Sequence, residues 1–267
     1  MIALNIQSPR PHPARAFFHS EHILTRNSHM KIGFLGTGTI ATAVVQALAP
    51  LGHQITVSER SAANAAMLNA AYENVVVASN ADVAAAADVL FLGLMPDIAR
   101  ELLPALTFRE GQRVISFIAD LPLSEVQSLI GPATAESLVL PFPAIAQTRS
   151  PLIAFPQSDL VSDIFATHDV FNMKTEAEFR AMLSAQAVLS PVVQMLLTAS
   201  DWAADKGAEA TKAQDFLRSL IAANLSASPL TPLLQSLSTE GGYNARLHAH
   251  MDKADSFNDL KSGLDAL

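Results

Sequence analysis

From Met30 to Met173, short dense apolar runs alternate with stretches whose apolar residues recur every three or four positions. The runs read as strands over Lys31–Leu35, Gln54–Ser58, Asn74–Ala78, Asp88–Leu94, Arg113–Ile118 and a sixth beginning at Ser137–Leu140. The intervening spacing predicts helices over Thr39–Leu51, Ser61–Tyr72, Asn80–Ala87, Pro96–Leu106 and Ser124–Ile130. Gly52 stops the first helix, Asn80 reads as the cap of the third, and Pro141 and Pro143 close the sixth strand. A strand-helix-strand finish is expected over Pro151–Phe155, Asp159–His168 and Val170–Met173. Strands that are apolar throughout, alternating with helices, imply a parallel sheet covered on both faces by right-handed connections.

The β-period then disappears. Glu176–Gln186, Ser190–Lys206, Ala208–Ala227, Thr231–Leu237 and a final Tyr243–Leu267 all read as helices, with Gly207, Ser226–Pro229 and Gly241-Gly242 as breaks. The expected organisation is therefore a leader over 1–29, a doubly wound α/β domain over 30–173 and an all-helical domain over 174–267.

Composition narrows the classes. Half of the residues are hydrophobic and only 6% are aromatic, so small aliphatic side chains fill the interior. Seventeen Lys+Arg stand against 25 Asp+Glu, a net charge of −8 without basic clusters, which argues against a nucleic-acid partner. The absence of cysteine excludes disulfides and thiolate chemistry and fits a reducing, cytoplasmic setting. No uninterrupted apolar stretch reaches the roughly 18 residues of a membrane span, so no membrane is expected.

Met1–His29 differs from the remainder. It holds Arg10, Arg15 and Arg26 against one acid, Glu21, and half of the eight histidines. It reads as a disordered leader or as an upstream extension of a chain starting at Met30, and it has no continuous apolar signal core.

The strongest motif is Gly36-Thr37-Gly38-Thr39-Ile40-Ala41, which follows a strand and opens a helix. In that context G-x-G-x-x-A is a dinucleotide fingerprint. Gly36 permits the tight turn, Gly38 lets backbone approach a pyrophosphate, and Ala41 allows close helix–strand packing. Thr39 and Ile40 supply N–H groups at the helix start, where the dipole favours negative charge. The domain is thus expected to be a Rossmann NAD(P)-binding domain. The second strand ends in Ser58-Glu59-Arg60-Ser61. Glu59, about 20 residues beyond the glycines, would indicate NAD through the ribose hydroxyls. Arg60 between Ser58 and Ser61 makes a phosphate cradle and favours NADP. Met95 and Pro96 end the fourth strand and border the cofactor crevice, as does Phe117 after the fifth.

Several segments resemble the pyrroline-5-carboxylate reductases. Met30-Lys31-Ile32-Gly33-Phe34-Leu35-Gly36-Thr37-Gly38 is similar to their M-K-I-G-F-I-G-x-G start. Asp88–Pro96 resembles D-V-I-F-L-A-V-K-P, Val114–Asp120 resembles V-V-S-I-A-A-G, and Val139–Pro143 resembles V-M-P-N-T-P. Ser238–Asn244 resembles the T-S-P-G-G-T-T turn. The resemblance spans most of Met30–Leu267 and is sharper in the first domain. It implies reduction of a cyclic imine, as in proline biosynthesis, with NADP or NAD, in a homodimer or higher oligomer formed through the helical domain. It also implies that Gly241 and Gly242, with Tyr243, hold a substrate carboxylate, and that Asn244 stands near the imine as the catalytic donor.

The departures lie on the substrate side. Met95 stands where the family has lysine, Phe142 where it has asparagine, Asp120 where it has glycine, and Glu240 would repel a small anion. These departures point to an altered substrate more than to a lost cofactor. Alternatives are another Rossmann dehydrogenase, of hydroxyacid-dehydrogenase or F420-dependent NADP reductase type, and a non-catalytic dinucleotide binder. Lys206 and Lys212 lack the lysine context of the hydroxyacid group. His248 and His250 do not share a helix face, so no metal site is expected. Trp202, among Asp201, Asp205 and Lys206, reads as the buried edge of a solvated helix.

Overall fold

The computed structural model describes residues 29–267; the leader reading falls, except for His29, outside the described residues. Eight strands form one sheet: β1 Lys31–Leu35, β2 Gln54–Ser58, β3 Val75–Ala78, β4 Val89–Leu92, β5 Arg113–Ser116, β6 Thr134–Leu140, β7 Pro151–Phe155 and β8 Asp169–Asn172. Their order is β3-β2-β1-β4-β5-β6-β7-β8. β1 lies in the middle of the sheet; from it the chain winds to one side through β3 and crosses back to β4.

The pairs are parallel except β6 with β7, where Val139 faces Ala154 in antiparallel register. This corrects the all-parallel expectation. Pro141 and Pro143 end β6, a 3-10 turn over Pro143–Ala146 follows, and the chain re-enters beside β6 without a crossover helix. β6 also starts earlier than expected, at Thr134, which pairs with Arg113 of β5, and the largely covered Glu136 two residues on forms an ion pair with the Arg113 guanidinium.

Helices α1 Thr39–Leu48, α2 Ala62–Ala71, α3 Asn80–Ala86, α4 Pro96–Leu102, α5 Leu123–Ile130 and α6 Asp159–Ile164 cover the sheet. Strand alternation divides the core accordingly. Ile32, Phe34 and Phe91 point to the face packed by Val44, Leu48, Leu68 and Phe165. Leu35, Leu90 and Leu92 point to the other, against Val83, Leu103 and Val126. Gly33 faces α3, where a Cβ would come within 2.8 Å of Ala87 Cβ. Phe34 stacks on Phe91 at 4.8 Å, and Phe91 carries Phe117 at 5.2 Å. The third helix is capped by Ser79, whose Oγ accepts the Asp82 N–H, and not by Asn80, which is its first residue.

The remaining elements are helical: α7 Glu176–Ala185, α8 Leu189–Asp205, α9 Ala210–Ala227, α10 Leu230–Ser236, α11 Tyr243–Lys253 and α12 Ser256–Asp265. α7 packs over β6 and β7 through Phe179, which joins Leu138, Ile153 and Met173. The expected single final helix is broken at Asp255, where φ is 59° and Asn258 Nδ2 donates to Asp255 Oδ1 at 2.6 Å. Aspartate tolerates this left-handed geometry better than most residues. Of residues 189–267, Ser200 alone is buried. The helical run Glu176–Asp205 is long and apolar enough to cross a membrane by length and composition, with a mean hydropathy of 1.5 over its window. Gln186, Ser190 and Gln194 interrupt its apolar string without ending the helical run, which is why counting uninterrupted apolar residues did not single it out.

Candidate functional site

The strand order reverses between β1 and β4, and in such sheets ligands bind outside the carboxyl ends of the strands at this point. A cleft of about 380 Å³ opens there, within the size range of small-molecule sites. The turn Gly36–Ala41 forms one wall. Arg60 and Ser61, after β2, lie on one side; Gly93, Leu94, Met95 and Ile98, after β4, and Phe117, after β5, lie on the other.

Two glycines of the turn have different reasons to be glycine. Gly36 has φ +91°, and a Cβ there would run into the Gly93 carbonyl. Gly93 in turn could not carry a Cβ, which would sit 2.9 Å from Ala41 Cβ. Gly36, Gly93 and Ala41 therefore weld β1, β4 and α1 together at minimum spacing. Gly38 is under neither constraint. Its backbone is extended, at φ −67° and ψ −180°, and a Cβ would meet nothing within 4 Å. Its missing side chain leaves open space in the cleft wall. Gly38 is also the N-cap of α1, so no side chain satisfies the first-turn N–H groups. Those amides and the helix dipole suit an anion in that space.

Side chains brace the turn from beneath. Gly36 N–H donates to Ser58 Oγ at 2.8 Å. The Thr37 carbonyl accepts from Asn64 Nδ2 at 2.6 Å and from Thr42 Oγ1 at 3.1 Å. Thr37 Oγ1 donates to the Ser61 carbonyl at 3.5 Å. Ser58 is fully buried and absent from the cleft wall, so its expected place in a phosphate cradle is corrected to a support for Gly36. Asn64 was not among the sequence candidates; an amide within the alanine-rich helix Ala62–Ala71 was its only signal.

Glu59 and Arg60 are exposed, and neither has an ion-pair partner among the described residues. Of the two, Arg60 lines the cleft. Thr39, Ile40, Ser61 and Met95 line it as well, whereas Pro96 is the first residue of α4 just behind the rim. The residues present therefore fit a phosphorylated dinucleotide: an open floor, unfilled amides and an unpaired guanidinium.

The other side of the cleft is apolar at its wall and acidic around it. Arg100 Nε donates to Glu125 Oε1 at 2.7 Å, and its Nη1 reaches Asp97 at 3.2 Å. The hydrogen bond from Arg100 holds the Glu125 carboxyl below its ordinary range.

Gly241, Gly242, Tyr243 and Asn244 do not line this cleft. Gly242 N–H donates to the Thr239 carbonyl at 3.0 Å and is not free for a carboxylate. Tyr243 is 88% exposed, and Asn244 is exposed at the start of α11. His248 stacks on Phe257 at 5.1 Å, a packing role. No metal-binding cluster occurs among the described residues. Trp202 is 64% exposed, against the buried edge expected for it, because none of the described residues covers that face of its helix. A larger groove of about 890 Å³ lies among the helices, lined by Val192, Met195, Met251 and Phe257, and belongs to the same uncovered apolar surface.

Residues 31–120 match the family model described as NADP oxidoreductase, coenzyme F420-dependent. A comparison with curated proteins finds no match. Among solved structures, the 1-pyrroline-5-carboxylate reductase of Streptococcus pyogenes is similar over 89% of this chain and 96% of its own, at 19% identity and a TM-score of 0.77. The pyrroline carboxylate reductase of Plasmodium falciparum, with NADP bound, covers 89% and 95% at 16% identity and a TM-score of 0.76. A reductive aminase from Aspergillus terreus, in complex with NADPH and ethyl levulinate, covers 81% and 79% at 18% identity and a TM-score of 0.58. The chain thus has the fold of pyrroline-5-carboxylate reductases, a Rossmann-type sheet followed by helices.

Proposed function

We propose that this protein is an NADP(H)-dependent oxidoreductase that reduces the C=N bond of a cyclic imine. The observation that carries the reading is the cleft at the β1/β4 reversal, open at Gly38 and flanked by the unpaired Arg60. The fold shared with two pyrroline carboxylate reductases and a reductive aminase supports it.

In this reading the first-turn amides of α1 hold the diphosphate and Arg60 with Ser61 holds the 2′-phosphate. Charge-assisted bonds to the guanidinium account for NADP over NAD. The bound dinucleotide supplies a hydride. The chain's own part is orientation: Leu94, Met95, Ile98 and Phe117 shape an apolar surface that excludes water and fixes the reacting faces.

The helical half completes the assembly. Its helices have almost no core of their own, and Leu189, Val193, Phe216, Leu230 and Leu247 are exposed. A second copy covering these faces gives the dimer. Asn244 can act as donor only if the Gly241-Gly242 turn of a second copy approaches the cleft, since its own chain does not bring it there.

The test is NADPH consumption with a panel of cyclic imines. Turnover with at least one panel member is expected. A second reading, exchange of hydride between NADP and a deazaflavin, is favoured by the family model matched over 31–120; NADPH-dependent reduction of F420, with no imine consumed, would select it.

A further inference from the structure

Resting on the reductase reading, we infer that the substrate is an apolar imine without a carboxylate, bound as its iminium cation. The wall beyond the turn consists of Leu94, Met95, Ile98 and Phe117. Met95 is 72% exposed at the mouth, a flexible apolar side chain placed where a ligand would cover it. The Phe117 ring is seated on Phe91, and aromatic faces attract cations. The cleft is lined by a single cation among the described residues, Arg60, which follows β2 on the far side of the turn and is committed to the phosphate.

The charges around the ends of β4 and β5 agree. Asp97, Asp120 and Glu125 stand there against Arg100, whose guanidinium is already spent on Glu125 and Asp97. Asp120 is exposed and has no ion pair among the described residues. A substrate carboxylate would meet an excess of negative charge. An iminium would be favoured by it, because nearby carboxylates raise the basicity of the imine nitrogen. The glycine turn offers no remedy: Gly242 N–H is engaged with Thr239, and Glu240 precedes it.

Binding the iminium also removes the need for a proton donor, and among the described residues no lysine, histidine or tyrosine lines the cleft. The iminium carbon gains the hydride as a new C–H bond. The C=N π pair moves to nitrogen, which keeps the proton it already carries, so a neutral amine leaves and the dinucleotide is oxidised.

The test compares 2-methyl-1-pyrroline with pyrroline-5-carboxylate under NADPH consumption, with NADPH binding measured separately by fluorescence. The kcat/KM for the carboxylate-free imine is expected to exceed the other by about tenfold or more. Met95→Lys, which places a cation at the mouth, is expected to shift that ratio severalfold toward the carboxylate. Equal or better turnover of pyrroline-5-carboxylate by the unaltered protein overturns the substrate inference and leaves the reductase reading standing. Turnover of neither imine, with NADPH bound, overturns the substrate inference, and turnover of no member of the wider cyclic-imine panel overturns the reductase reading as well.

Discussion

Ser58 and Arg60 lie two positions apart and do different work. Arg60 stands exposed on the cleft wall, whereas Ser58 is buried and accepts the Gly36 N–H. Arg60→Ala is expected to weaken NADPH by about 1.5–3 kcal/mol, the range for bonds to a charged group, and to leave NADH nearly unchanged. Ser58→Ala leaves the buried Gly36 N–H without its acceptor, at a cost of about 1–3 kcal/mol of stability. It should weaken both nucleotides equally. Titration of each variant with both nucleotides, beside urea unfolding, separates the two roles. An equal effect of Arg60→Ala on NADPH and NADH would remove the phosphate assignment. The sequence could not distinguish these neighbours, because alternation along β2 and the turn after it decides which side chain meets the cleft.

Elements explain what was legible. Apolar runs such as Lys31–Leu35 and Pro151–Phe155 are local signals and coincide with strands β1 and β7. The direction of β7 is not local: it depends on how the proline-bounded turn at 143–146 returns the chain, and it came out antiparallel. The break at Asp255 likewise rests on one left-handed residue that periodicity does not reveal. In the site, the glycine motif was readable because backbone sterics write it into sequence, while the Asn64 brace spans 27 positions and was not. The loop before β2 also carries a titration. Burial, then the neighbouring His29, lowers the pKa of His53, and burial lowers that of His168 between α6 and β8. An unfolded histidine titrates near 6.5 and binds its proton first, so both contributions are complete above that pH. They are lost as pH falls from about 6.5 through the lowered folded values. Urea unfolding from pH 8 to pH 5 should show stability declining below about 6.5. His53→Asn, which keeps an acceptor for the Met30 N–H, should flatten part of that decline; an unchanged slope would exclude His53 as its source.

Across the whole molecule, the sheet half holds three buried clusters, the third closed by Phe179 of α7, and the helices beyond it have almost none. A helical layer without a core buries its apolar faces against something else. Light scattering on the purified chain should give a mass twice 28.4 kDa or a higher multiple. A monomer at micromolar concentration would contradict the paired helical half, and association only with detergent or vesicles would instead implicate the Glu176–Asp205 run. In the proposed complex the open space at Gly38 receives the dinucleotide diphosphate. Fluorescence titration of the protein and of Gly38→Val with NADPH is the decisive measurement, since a Cβ at Gly38 meets no atom of the described residues within 4 Å and the backbone there is extended. An unchanged melting temperature is expected, with a loss of at least about a hundredfold in affinity, near 2.7 kcal/mol. Undiminished NADPH binding by Gly38→Val would contradict that placement of the diphosphate.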